Sequence, residues 1–256
     1  MLARALYAAG RYRDSVGHAR AAVELLGEDV ALGAHASLNH TVAARVWLTL
    51  CYAEMGDFEP GMRESETAKR LAEHPSVRDH ERVWWRIGLG RLLLVTGNFN
   101  AAADALVPAL PICEGEFAIY FSRAASSLGA AYVQLGRTQE GLELLRRADA
   151  KAAAIGFTYG HALVLSLLGS AYLAVDQTDQ AQDAAHRALA AAQRWGERGN
   201  EARARFLLGE IYEASGEVDQ ARGEYAETLA IAKHCTMDHL RDNCLFRLTN
   251  LSSSQL

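Results

Sequence analysis

The 256 residues are half apolar and 22% charged, with four prolines and a net charge of −5, a globular balance that excludes disordered and collagen-like chains. An acidic chain lacks the basic footprint that phosphate neutralisation needs, which excludes nucleic acid as a direct partner. The strongest apolar run, Leu92-Leu93-Leu94-Val95, is too short to span a bilayer, so no membrane role is expected.

Met1 to Leu6 show no signal-peptide core. Cys51, Cys113, Cys235 and Cys244 have no paired spacing, the pattern of a reducing, cytoplasmic compartment. In chain order, Leu6 and Gly10-Arg11-Tyr12 open a phrase that recurs: small residue, aromatic, then a turn. Looser copies are Leu48-Thr49 with Tyr52 and Gly56-Asp57-Phe58, then Leu89-Gly90 with Leu93 and Gly97-Asn98-Phe99. Three strict copies follow: Leu128-Gly129 with Tyr132 and Gly136, Leu168-Gly169 with Tyr172 and Asp176, and Leu208-Gly209 with Tyr212 and Gly216. The turns at 10, 56, 97, 136, 176 and 216 recur roughly every 40 residues, and each unit holds two apolar-periodic segments of helical length. This divides the chain into a partial repeat 1–33, repeats 34–76, 77–114, 115–156, 157–196 and 197–235, and a capping helix with tail, 236–256.

Each recurring residue has a steric reason. Glycine inside a helix costs about 1 kcal/mol against alanine, so Gly129, Gly169 and Gly209 predict a crossing where no side chain fits. The turn glycines supply a left-handed helix end, and Asp176 tolerates that conformation better than most residues. Pro108 and Pro111 predict a break in the second helix of the third unit. Leu240, Cys244, Leu248 and Leu251 form one face of a final helix, and Ser252 to Leu256 a frayed tail. A chain that starts and stops within a repeat is expected to be a piece of something longer.

The pattern resembles the tetratricopeptide repeat over nearly the whole chain, with a unit longer than that family's usual 34 residues. The resemblance implies an all-α, right-handed superhelical solenoid of antiparallel helix pairs whose first helices line a concave surface. The stretches from Arg45 to Phe58 and from Trp195 to Ile211 are similar to the C-terminal repeat region of bacterial signalling proteins that join a class III adenylate or guanylate cyclase domain to an ATPase module. This implies a bacterial signal-transduction context, although neither the cyclase metal-binding aspartates nor a Walker-type loop is present.

Counting from the packing glycines places Trp84, Ile87, Arg91 and Leu94 on the concave face. Arg123, Ser126, Ala130 and Val133 follow, then Leu163, Ser166, Ser170 and Leu173, then Arg203, Phe206, Glu210 and Glu213. Such a floor suits a protein segment, either an amphipathic helix or an extended peptide. The lysines and asparagines that chaperone-binding members use to clamp a terminal carboxylate are missing. The expected function is therefore a protein-interaction or regulatory module. Two alternatives remain: a peptide or small-molecule sensor, which requires a closed pocket, and a module that self-associates through apolar terminal faces near Leu6 and Phe246. Enzymatic chemistry is not expected. His234, Cys235, His239 and Cys244 match no common zinc spacing, and no cofactor motif occurs.

Overall fold

The computed structural model describes residues 2–30, 40–114, 118–156 and 159–253. Among the described residues every regular element is a helix. The elements pair as α1 (Leu2–Ala8) with α2 (Tyr12–Leu26), α3 (His40–Met55) with α4 (Phe58–Ala72), and α5 (Asp79–Val95) with α6 (Phe99–Leu106) and α7 (Leu110–Glu114). They continue as α8 (Ala118–Gln134) with α9 (Thr138–Ala154), α10 (His161–Leu173) with α11 (Thr178–Trp195), α12 (Arg198–Ala214) with α13 (Val218–Cys235), and finally α14 (Asp238–Ser253).

The six turn positions all take the left-handed conformation, with φ between 58° at Asp176 and 87° at Gly56. That geometry lets the next N–H reach back to the last turn of the first helix. Arg137, Gln177 and Glu217 donate to the carbonyls of Tyr132, Tyr172 and Tyr212 at 2.8, 3.0 and 2.8 Å. The recurring tyrosine therefore supplies a backbone acceptor as well as a ring.

The packing glycines lie where helices touch. A Cβ on Gly129 would stand 2.7 Å from the Gly141 carbonyl oxygen on α9, and one on Gly209 would stand 2.6 Å from the Tyr225 ring on α13. A Cβ on Gly169 would meet Leu207 at 2.7 Å and the Ala181 carbonyl oxygen on α11 at 3.2 Å. Ala102, Ala181 and Ala221, each wholly buried, are the matching small contacts at the start of the second helices. The two prolines break the third hairpin as their chemistry demands. Here α6 stops at Leu106, Val107–Ala109 form a 3-10 turn, and α7 resumes the path.

The array does not end in two free faces. Tyr12, Val16, Leu48, Cys51 and Tyr52 share one core with Ala202, Ile231, Cys235, Met237, Leu240 and Cys244. The turn before α2 lies against the start of α12 and the end of α13: a Cβ on Gly10 would be 2.8 Å from Cys235 Sγ and 3.1 Å from Arg198 Cβ. The Tyr12 hydroxyl fills the space beside the Gly199 backbone. The turn from α3 into α4 meets the start of α14: a Cβ on Gly56 would be 3.4 Å from the His239 backbone nitrogen, and the Phe58 and His239 rings are 6.0 Å apart. The solenoid closes into a staggered ring, one turn of a superhelix whose ends overlap.

Two expectations change with this closure. Leu6 is buried at 8% exposure, so it cannot present a free terminal face. The last helix also serves as more than an outward cap: its N-terminal end joins the seam, and α14 runs on through Ser252 and Ser253, which the tail expectation had left out. Ser254, Gln255 and Leu256 lie outside the described residues.

Candidate functional site: a cavity at the centre of the ring

Closing the ring turns the concave surface into a central cavity of about 380 Å³. Its walls come from α3, α5, α8, α10, α12 and α14, with Phe99 from α6. Of the residues expected on the concave face, Arg91, Leu94, Ala130, Val133, Leu163, Ser166, Ser170, Arg203, Phe206 and Glu210 line this cavity.

Trp84, Ile87, Arg123 and Ser126 do not. Trp84 and Ile87 are 5% and 3% exposed within the core. The Trp84 ring stacks with Trp47 at 5.3 Å and Tyr120 at 5.4 Å. Arg123 lies over the Tyr159 ring at 4.7 Å, and the Ser126 hydroxyl is buried and bonded to the Arg123 carbonyl at 3.3 Å. The physical reason is α1. Its Tyr7 packs on Trp47 at 5.4 Å, Trp47 in turn packs on Trp84 at 5.3 Å, and Tyr7 and Ala8 lie beside Arg123. Leu173 and Glu213 also stand off the cavity lining, and Glu213 is engaged by Tyr225 and Arg247.

The deep end of the cavity carries charge. Glu54, 3% exposed, accepts the Tyr7 hydroxyl at 3.1 Å and the Arg91 Nε and Nη2 groups at 3.4 Å each. Arg203 pairs with the other oxygen of Glu54 from α12, across the seam. Two guanidinium groups thus face one carboxylate, and the buried Arg203 Nε has no hydrogen-bond partner. Burial pushes both arginines below the usual guanidinium range, since desolvation disfavours the charged form.

Nearer the mouth, Glu210 accepts from Arg247 at 2.9 Å, and burial raises its carboxyl above the ordinary value. His239, with Asn243 3.4 Å away, lies exposed on the α14 wall, and partial desolvation, then the charge of Arg203, pushes its imidazole down. The remaining wall is apolar or small: Leu94, Val95, Phe99, Val133, Leu167, Phe206 and Leu207.

Glu54, Gln134, His239 and Asn243 were not anticipated from the sequence. A signal existed for the first two. Each stands two residues before a turn glycine, as does Val95, and all three line the cavity. Nothing local marks His239 and Asn243, because only closure brings α14 to the inner face.

The fold and site define a closed solenoid of helical hairpins around a small, apolar, charge-floored cavity. Residues 160–234 match the tetratricopeptide repeat family. No curated protein sequence is significantly similar to the chain. Its fold is similar to that of a Rap protein solved in complex with competence and sporulation factor, with a TM-score of 0.62, 16% identity, and coverage of 99% of this chain and 76% of that one. It is also similar to a thermophilic tetratricopeptide protein of Thermus thermophilus, TTC0263, with a TM-score of 0.58 and 19% identity over 80% of this chain and 99% of that one. A third similar structure is PH0952 of Pyrococcus horikoshii, a signal-transduction ATPase with numerous domains and a tetratricopeptide sensor. Its TM-score is 0.52 at 16% identity, over 84% of this chain and 33% of that one. Among the described residues no helix is long and apolar enough to cross a membrane.

Proposed function

We propose that the chain is a regulatory interaction module that binds a short ligand inside its ring and passes the change in ring rigidity to a protein partner. The observation that carries this reading is the cavity itself: an occupant would touch six inner helices, from α3 to α14, at once. Its volume of about 380 Å³ falls in the range of small-molecule sites, about 300–1,000 Å³. An α-helix with side chains is about 10–12 Å across, so a short peptide or small molecule suits the cavity better than an amphipathic helix. The Rap structure solved with its factor supports a ligand-binding role by analogy of fold.

Within a larger protein, such a ring would act as a sensor arm. Support comes from the resemblance to cyclase- and ATPase-linked repeat regions and from the likeness to a tetratricopeptide sensor of a signalling ATPase. Four free, buried cysteines suit a reducing compartment. Self-association has less to draw on, since the seam uses the terminal faces. Leu245 and Phe246, 44% and 65% exposed on α14, are the apolar surface left at that end.

The test is thermal unfolding with pools of tri- to pentapeptides and small metabolites, since a ligand of the native state raises the melting temperature by mass action. The shift is expected in the natural protein and absent in Ser170→Trp, whose indole occupies the cavity. A ligand that shifts both proteins equally binds elsewhere and overturns the reading.

A further inference from the structure

The charge balance at the deep end is specific enough to name a ligand class. Arg91 and Arg203 together present ten N–H donors, and the acceptor they share is the single carboxylate of Glu54. Tyr7, the third group on that carboxylate, is a further donor and adds no negative charge. At the deep end itself one guanidinium charge therefore has no carboxylate of its own, a costly arrangement in a site of low polarity. His239 adds none while neutral, and nearer the mouth Glu210 and Glu213 share Arg247.

We propose that the cavity takes a small organic monocarboxylate with an apolar body, whose carboxylate sits beside Glu54 between Arg91 and Arg203. The proposal rests on the reading of the cavity as a ligand site. A monoanion completes the local count at the deep end, two guanidinium groups against two carboxylates, and gives Arg203 Nε an acceptor. A phosphate dianion overshoots that count, and a neutral ligand leaves the deficit in place. Arg–carboxylate geometry is bidentate and short, which favours this head group over a merely polar one.

The body of the ligand is set by the walls. Leu94, Val133, Phe206 and Leu207 offer apolar contact above the charged floor, and the volume equals roughly a dozen waters at about 30 Å³ each. That suits an aliphatic acid of medium length or the free C-terminus of a two- or three-residue apolar peptide. The shared feature is a carboxylate at one end and hydrocarbon behind it. Because Arg203 and Glu54 face each other across the seam, the added carboxylate also ties α12 to α5 and stiffens the ring.

Isothermal titration of the full chain with octanoate, octanamide, octyl phosphate and N-acetyl-leucyl-leucine, the last as acid and as amide, tests this. The acids should bind at least about tenfold more tightly than their amides, an advantage of about 1.4 kcal/mol, and octyl phosphate should bind more weakly than octanoate. Whichever acid binds more tightly assigns the source. Arg203→Gln leaves a neutral Arg91–Glu54 pair, so it should fold and lose the preference for acids. Glu54→Gln removes the internal counter-charge, so octanoate should raise its melting temperature more than that of the natural protein. Equal affinity for acid and amide overturns the monocarboxylate proposal and leaves the cavity a ligand site. No binding by any probe, with peptide pools also silent, overturns both.

Discussion

Two kinds of glycine sit in these helices, and a single methyl group separates them. Gly129 crosses Gly141 so closely that each would place a Cβ within 2.7 Å of the other's carbonyl oxygen. Gly129→Ala must push α8 from α9, and an overpacked contact of this kind costs about 1–3 kcal/mol, despite the better helix propensity of alanine. Gly17 on α2 and Gly223 on α13 have nothing within 4 Å of a Cβ. Alanine at either should stabilise the protein by about 0.5–1 kcal/mol. Urea denaturation of the three variants checks the prediction, and a destabilised Gly17→Ala would count against it. At the seam, partial desolvation and then Arg203 hold the imidazole of the largely exposed His239 low, with Asp242 opposing. The unfolded chain binds this proton more tightly, so the contribution to stability is complete above the unfolded value of about 6.5 and is lost as the pH falls through the folded value. The melting temperature should therefore drop more steeply below pH 6.5 in the natural protein than in His239→Gln.

At the scale of the helix, the ends are where the repeat spends its special residues. Five glycines and Asp176 close the first helices with positive φ, while α13 ends at Thr236, whose φ is 57°. A β-branched residue is poorly suited to that conformation, which costs L-residues about 1–2 kcal/mol. Thr236→Gly should accordingly stabilise the chain by about 1 kcal/mol, measured as a rise in the denaturation midpoint at unchanged slope. The broken α6–α7 segment has another consequence. Pro108 and Pro111 remove backbone donors, so among the described residues this hairpin is the one whose second helix is interrupted. The inner helix α8 still carries Ala130 and Val133 to the cavity.

An open solenoid is held together neighbour by neighbour, so its two ends unfold independently. A closed one couples them. Glu54 and Arg203 meet across 149 residues of sequence, and Tyr12 is 4% exposed between α2, the start of α12 and the end of α13. Removing a buried aromatic of this size costs about 3–5 kcal/mol. Tyr12→Ala should speed amide hydrogen exchange on α2 and on the C-terminal half of α13 together. Loss of protection on α2 alone would mean that the ends do not support one another. Closure is also what makes a cavity of the concave face, so the same variant should weaken any ligand bound there.

Much of this was legible locally. A period near 40, the packing glycines and the left-handed turns are consequences of how helices cross and end, interactions among residues close in sequence. They placed Arg91, Ser166, Ser170, Arg203 and Glu210 on the inner face without coordinates. The sequence by itself thus determined the hairpin, its repetition and the side each helix turns inward. Whether the array would stay open was decided only in three dimensions. Small angular offsets accumulate over six units, and nothing within one unit encodes their sum. That sum brought α14 to α3, placed Tyr7 of α1 against Trp47 and beside Arg123, and set two arginines against Glu54 at one end of a half-open cavity.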